Sequence, residues 1–274
     1  MIPRAFITQW RASAPWPEDA QVEQDLVISR ALVEIFSDPV LSVALAFRGG
    51  TALHKLFLAP PARYSEDIDL VQVVAGPAGP ILDAVRKLLD PWLKEPRVDR
   101  TPHSVRLTYR FPSEVPPVVQ LRLKVEINTR EHFSVLGFER KRFAVENGWF
   151  SGRAEVQTYR LEELLGTKLR ALHERKKGRD LFDLSMALTK HAPDPSDIVE
   201  CFRRYLEQEG KHVSRAEFER SFAAKLGDPA FHTDVRSLLA PGSPYDPNGA
   251  ARTVYETLVA RIPGEPWKKS PFGL

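Results

Sequence analysis

The chain is poor in the residues and patterns that mark several common protein classes. It holds a single cysteine, Cys201, in 274 residues. That excludes an internal disulfide and argues against a cysteine-based zinc site, and within Ile198-Val199-Glu200-Cys201-Phe202 the residue reads as a buried thiol. No apolar run approaches the roughly 18 residues needed to cross a membrane, and residues 1–11 lack the apolar core of a signal peptide. A cytoplasmic protein without a membrane partner is therefore expected. There is no Gly-x-x-x-x-Gly-Lys-Ser/Thr and no Gly-x-Gly-x-x-Gly, so neither a P-loop nor a Rossmann dinucleotide site has support. The seven histidines show no metal-binding spacing. Charge of one sign is also scarce: the net charge of +3 is too mild to demand a nucleic-acid partner.

What the chain does contain is an ordinary folded composition, with 43% hydrophobic and 27% charged residues. The length suits one catalytic domain with a helical extension. Helical spacing runs from Glu18 to Phe36, and Leu41 to Phe47 reads as a short strand. A brief helix is expected after the Arg48-Gly49-Gly50 turn, and a strand over Asp67–Val73. A helix over Ile81–Leu93 and a strand over Val105–Phe111 follow. The clearest alternation is Leu121–Asn128, with Arg122, Lys124, Glu126 and Asn128 on one face. Beyond Leu161 the pattern is helical, with helices to about Arg175, over Asp180–Lys190 and near Ala250–Arg261, and a capping box at Ser214–Glu217. The expectation is an α+β fold, with a catalytic core over 1–160 and helices over 161–274.

Asp67 and Asp69, two apart on a strand, leave the same face and can share a divalent metal. Glu126, on the polar face of another strand, is the candidate third acid of a metal-assisted transfer site. The Gly49-Gly50-Thr51 turn offers backbone N–H groups at a helix start, suited to a triphosphate. Lys168 lies in the apolar stripe of Leu161, Leu164, Leu165 and Leu172, where a phosphate ligand or a snorkelling amine would both account for it. Six basic residues, Lys168, Arg170, Arg175, Lys176, Lys177 and Arg179, face one acid between Lys168 and Arg179, a candidate RNA contact or a solvated face. Asp180 could cap a helix or hold a basic residue, and Asp183 reads as an ion-pair partner of Arg179. Ser65, two residues before Asp67, falls at the nucleotide position. A phosphate on it would set negative charge against the carboxylates.

Phe47–Phe57 with Arg63–Leu70, then Lys124-Val125-Glu126-Ile127-Asn128, then Thr158–Leu184 with its Lys168 and Arg179-Asp180 blocks, resemble the AbiEii/AbiGii nucleotidyltransferase toxin family. The resemblance implies a polymerase-beta-like nucleotidyltransferase fold, a small mixed sheet flanked by helices, with a helical C-terminal part contributing Lys168 and Asp180. It implies a toxin of an abortive-infection or toxin–antitoxin system, paired with an AbiEi-like antitoxin. The implied reaction moves a nucleoside monophosphate from an NTP to the 3′ end of tRNA. By position, Gly49, Gly50 and Thr51 would contact phosphates, Asp67, Asp69 and Glu126 would bind Mg²⁺ or Mn²⁺, Lys168 would touch the nucleotide, and Asp180 would orient Lys168 or the acceptor. Two features depart from the wider superfamily: sixteen residues separate Gly50 from Asp67, and the third acid is Glu. The rival readings are transfer to a protein or small molecule, and a non-catalytic nucleotide- or RNA-binding module.

Overall fold

The computed structural model describes residues 2–270. The chain divides into two compact units, Met1–Tyr159 and Arg160–Leu274.

The first unit is built around helix α2 (Asp19–Ser37), which follows α1 (Arg4–Trp10). A Glu18/Gln21 capping box starts α2. Its Val22, Leu26, Ala31 and Ile35 are fully buried, and it packs against β5 (Gln120–Asn128) and β7 (Ser151–Tyr159). Between them run α3 (Leu41–Ala44), β1 (Leu45–Arg48), α4 (Gly49–Leu56), β2 (Asp67–Gln72), α5 (Gly79–Leu93), β3 (Arg97–Arg100), β4 (Ser104–Pro112) and β6 (Phe138–Glu146). The seven strands form one mixed sheet in the order β3-β4-β5-β2-β1-β7-β6. The β2–β5 and β1–β7 pairs are parallel and the others antiparallel.

The strand expected over Leu41–Phe47 is half helix. Asp38 Oδ1 accepts from the N–H groups of Val40 and Leu41, both at 2.9 Å, so the chain coils before it extends. The strands β3, β6 and β7 lie where the sequence pattern predicts none.

The second unit is helical: α6 (Leu161–Glu174), α7 (Gly178–His191), α8 (Pro195–Gln208), α9 (Arg215–Leu226), α10 (Pro229–Thr233) and α11 (Pro247–Thr257). The capping box that starts α9 at Ser214 is formed in full. Gly166 lets α6 approach α8, because a Cβ there would stand 2.5 Å from the Cβ of Cys201. Cys201 is fully buried at this crossing, and burial pushes its thiol up to about 12, which leaves it unreactive. Lys225 donates to the carbonyls of Leu172 and His173, satisfying the open end of α6. No described helix is long and apolar enough to cross a membrane.

Candidate active site

The site grows from the pairing of three strands. In β2, Ile68 and Leu70 are buried while Asp67 and Asp69 leave the opposite face. The antiparallel register with β1 sets Arg48 beside Asp69, and the parallel register with β5 sets Lys124 beside Asp67 and Glu126 beside Asp69. Asp67, Asp69 and Glu126 therefore share one face of adjacent strands, as their alternation predicts.

The three carboxylates meet different partners. Lys124 Nζ lies 2.7 Å from Asp67 Oδ2 and 3.8 Å from Glu126 Oε2. Glu126 accepts from Arg106 Nε at 3.1 Å and Nη2 at 2.9 Å through Oε2, and from Ser104 Oγ at 3.1 Å through Oε1. Burial raises the Glu126 carboxyl, but Arg106, with Lys124 and Ser104, outweighs it and holds the group below its usual range. Asp69 moves the other way. Burial and then the charge of Asp67 push its carboxyl up, and Arg48 and Lys124 offset this only in part. A carboxylate pair under such strain favours a bound cation, and its hard oxygen donors suit Mg²⁺ or Mn²⁺. The fit is to Asp67 and Asp69. Among the described residues no three acidic, histidine or cysteine groups converge as a metal cage, and Glu126 is turned to Arg106 and Ser104.

Gly49 joins the acids to the glycine turn. Its φ of +80° favours glycine, and a Cβ on it would stand 2.3 Å from Asp69 Oδ2. The carboxylate of Asp69 thus lies against the first residue of α4, whose N-cap, Arg48, makes no side-chain capping bond. The opening N–H groups of α4 are an anion-binding feature next to the acids. Gly50 allows a second close approach, to the Arg63 guanidinium and Ser65 Oγ. Thr51 is buried, its hydroxyl 2.8 Å from Ser65 Oγ and 2.5 Å from the Asp67 carbonyl. Its side chain thereby fixes the start of β2, which leaves its backbone N–H as the group able to meet a phosphate. Gly49→Ala should cut transfer activity about a hundredfold by displacing Asp69, and cost roughly 1–3 kcal/mol of stability from the strained φ. Nucleotide incorporation and a thermal melt measure the two effects separately.

A cavity of about 390 Å³ opens beside this turn, with Thr51, Ser65, His54, Lys55 and Arg63 among its lining residues. On its wall the buried Asp25 carboxylate accepts from Trp10 Nε1 at 2.9 Å, Trp16 Nε1 at 3.3 Å and Lys55 Nζ at 3.0 Å. Sequence reasoning missed these residues, since no local pattern links α1, α2 and α4.

Lys168 and Asp180 belong to the second unit. Lys168 is buried, its Nζ 3.1 Å from Asp180 Oδ1 and 2.8 Å from Asp183 Oδ2, and both carboxylates are fully enclosed. Arg175 adds bonds to Asp180 of 2.7 Å and 2.8 Å. Asp183 therefore pairs with Lys168, not with Arg179 as its position after that residue suggests. Burial raises the Asp180 carboxyl, yet Lys168 and Arg175 outweigh it and hold it below the usual range. Lys168 on its apolar stripe is explained first as the cation of a buried ion cluster. The basic run is also largely neutralised: Arg170 pairs with Glu209, Lys176 with Asp228 and Lys177 with Asp234.

The structure thus sets a half-buried carboxylate pair on the central strand of a mixed sheet, beside a glycine turn that opens a helix. Known structures agree on the fold. MenT4, a nucleotidyltransferase toxin from Mycobacterium tuberculosis, matches with a TM-score of 0.65 at 18% identity, over 96% of this chain and 91% of that one. JHP933 from Helicobacter pylori matches with a TM-score of 0.54 at 18% identity, over 88% and 91%. No curated protein sequence matches. The family model described as the nucleotidyl transferase AbiEii toxin of type IV toxin–antitoxin systems covers residues 30–257, and the chain belongs to that family. It is accordingly a nucleotidyltransferase of the toxin class, working within a toxin–antitoxin pair on a nucleotide substrate.

Proposed function

We propose that the protein transfers a nucleoside monophosphate from an NTP to the 3′ end of tRNA in the cytoplasm, blocking translation until an AbiEi-like antitoxin relieves it. The observation that carries this reading is the contact of Asp69 with Gly49, which sets the acids directly against the opening N–H groups of α4. In this reading the N–H groups of Gly49, Gly50 and Thr51 receive the triphosphate, and the cavity beside Thr51 and Ser65 leaves room for part of the nucleotide. Asp67 and Asp69 would hold Mg²⁺, or Mn²⁺ in its place, which when bound would neutralise charge on the phosphates. The acceptor hydroxyl oxygen bonds to the α-phosphorus and its proton passes to solvent, while the α–β phosphoanhydride breaks and pyrophosphate departs.

Incubating the protein with each labelled NTP, Mg²⁺ and total RNA should place label on tRNA-sized RNA, and Asp67→Asn should abolish it. Label in protein, or in a small molecule, would replace the acceptor and keep the chemistry. Tight nucleotide binding with no transfer to any acceptor would sink the catalytic reading.

A further inference from the structure

The parallel pairing of β2 with β5 places a cation inside the acid cluster. Lys124 stands across from Asp67 in register, its ammonium at charge-assisted hydrogen-bond distance from Asp67 and within 3.8 Å of Glu126. Arg106, across from Glu126 on β4, takes one oxygen of that carboxylate with two of its nitrogens, and Ser104 takes the other oxygen. Both oxygens of the third acid are thus occupied by donors from its own sheet. Asp69 stands across from Arg48 on β1, whose guanidinium is ion-paired with Glu131, so that pair adds no net charge to the cluster.

Three carboxylates faced by two cations carry one net negative charge. One divalent ion already reverses that sign, and a second would enter a positive site. Lysine suits the position because its charge is compact and its stem flexible, so the ammonium can give way at Asp67 while remaining close by. Arginine suits the other position because its planar fork holds Glu126 in one orientation.

We infer that Lys124 is the resident counter-ion of the cluster and limits it to one divalent cation, held by Asp67 and Asp69, with Glu126 kept out of the coordination sphere as the anchor of Arg106. Lys124 and Glu126 are positioning residues here. The inference rests on the reading of Asp67 and Asp69 as metal ligands, and it departs from a three-carboxylate, two-ion site.

The test is a Mn²⁺ titration of the full-length chain followed by electron paramagnetic resonance, with circular dichroism to confirm that each variant is folded. The parent should bind one Mn²⁺. Glu126→Gln should keep that affinity within about twofold, and Lys124→Met should tighten the first ion about tenfold and admit a second. Lys124→Arg should restore the single ion. Two ions in the parent, a tenfold loss in Glu126→Gln, or unchanged binding in Lys124→Met would each overturn the inference while leaving Asp67 and Asp69 as ligands. A parent that binds no Mn²⁺, or an Asp67→Asn variant that binds it as the parent does, would overturn the ligand reading itself.

Discussion

Asp69→Asn should silence the enzyme and yet raise the melting temperature of the metal-free protein. The Asp69 carboxyl is pushed up by burial and by Asp67, so its charged form is a cost that the fold carries. An amide of the same shape removes that cost, worth about 0.5–2 kcal/mol in comparable substitutions. The same change removes a charge that would meet the metal and, through it, the phosphates. Loss of several kcal/mol of transition-state stabilisation corresponds to a fall in transfer of about a thousandfold or more. A melt without metal and a growth assay on expression measure the two sides. A variant as toxic as the parent would show that toxicity does not pass through this carboxylate pair.

Lys168→Met should produce the largest loss of stability. The variant leaves Asp180 and Asp183, both fully buried, without the ammonium that lies between them. Breaking a buried ion pair by removing one partner costs about 3–5 kcal/mol. For a chain of this size that is a fall in Tm of roughly 2–4 °C per kcal/mol. The pH dependence should change sign. In the parent, Asp180 has a folded-state pKa below its unfolded value. The folded form therefore binds fewer protons, and the stabilisation is complete above about pH 4 and lost as pH falls through the lowered pKa. In the variant, protonation relieves buried carboxylate charge that has lost its ammonium, so the gap to the parent should narrow as pH is lowered from 7 towards about 5. A Tm series in buffers across that range checks this. A variant that melts with the parent but transfers nucleotide poorly would instead assign Lys168 to the chemistry. Loss of toxicity in a Lys168 variant is evidence about catalysis only alongside such a melt.

The parts of the fold legible in the sequence are those where one face is buried and the other is polar. Ile68 and Leu70 against Asp67 and Asp69 give β2, and Leu121, Leu123, Val125 and Ile127 give β5. The hairpin of β6 and β7 was illegible because Arg140, Arg142, Ala144 and Glu146 are exposed on an edge strand, with Val145 its only fully enclosed side chain. Asp67, Asp69 and Glu126 could be named because each sits on such a strand. Their partners could not, since Arg106 reaches Glu126 across 20 positions and Lys55 reaches Asp25 across 30. The six-fold basic run misled for the same reason: Asp228 and Asp234, which neutralise Lys176 and Lys177, lie about fifty positions further on.

The pairing of β2 with β5 is held by residues that take no part in chemistry. Ile68 faces Val125 and Leu70 faces Ile127, all enclosed in the core. A slip of two positions would keep every apolar side chain on its own face, and would set Asp67 against Glu126 or Arg122 in place of Lys124. The fit of aliphatic side chains in the interior is thus what assigns each charge on the outer face its opposite number. Core substitutions at Val125 or Ile127 would therefore act on the proposed ion site without touching an acidic residue.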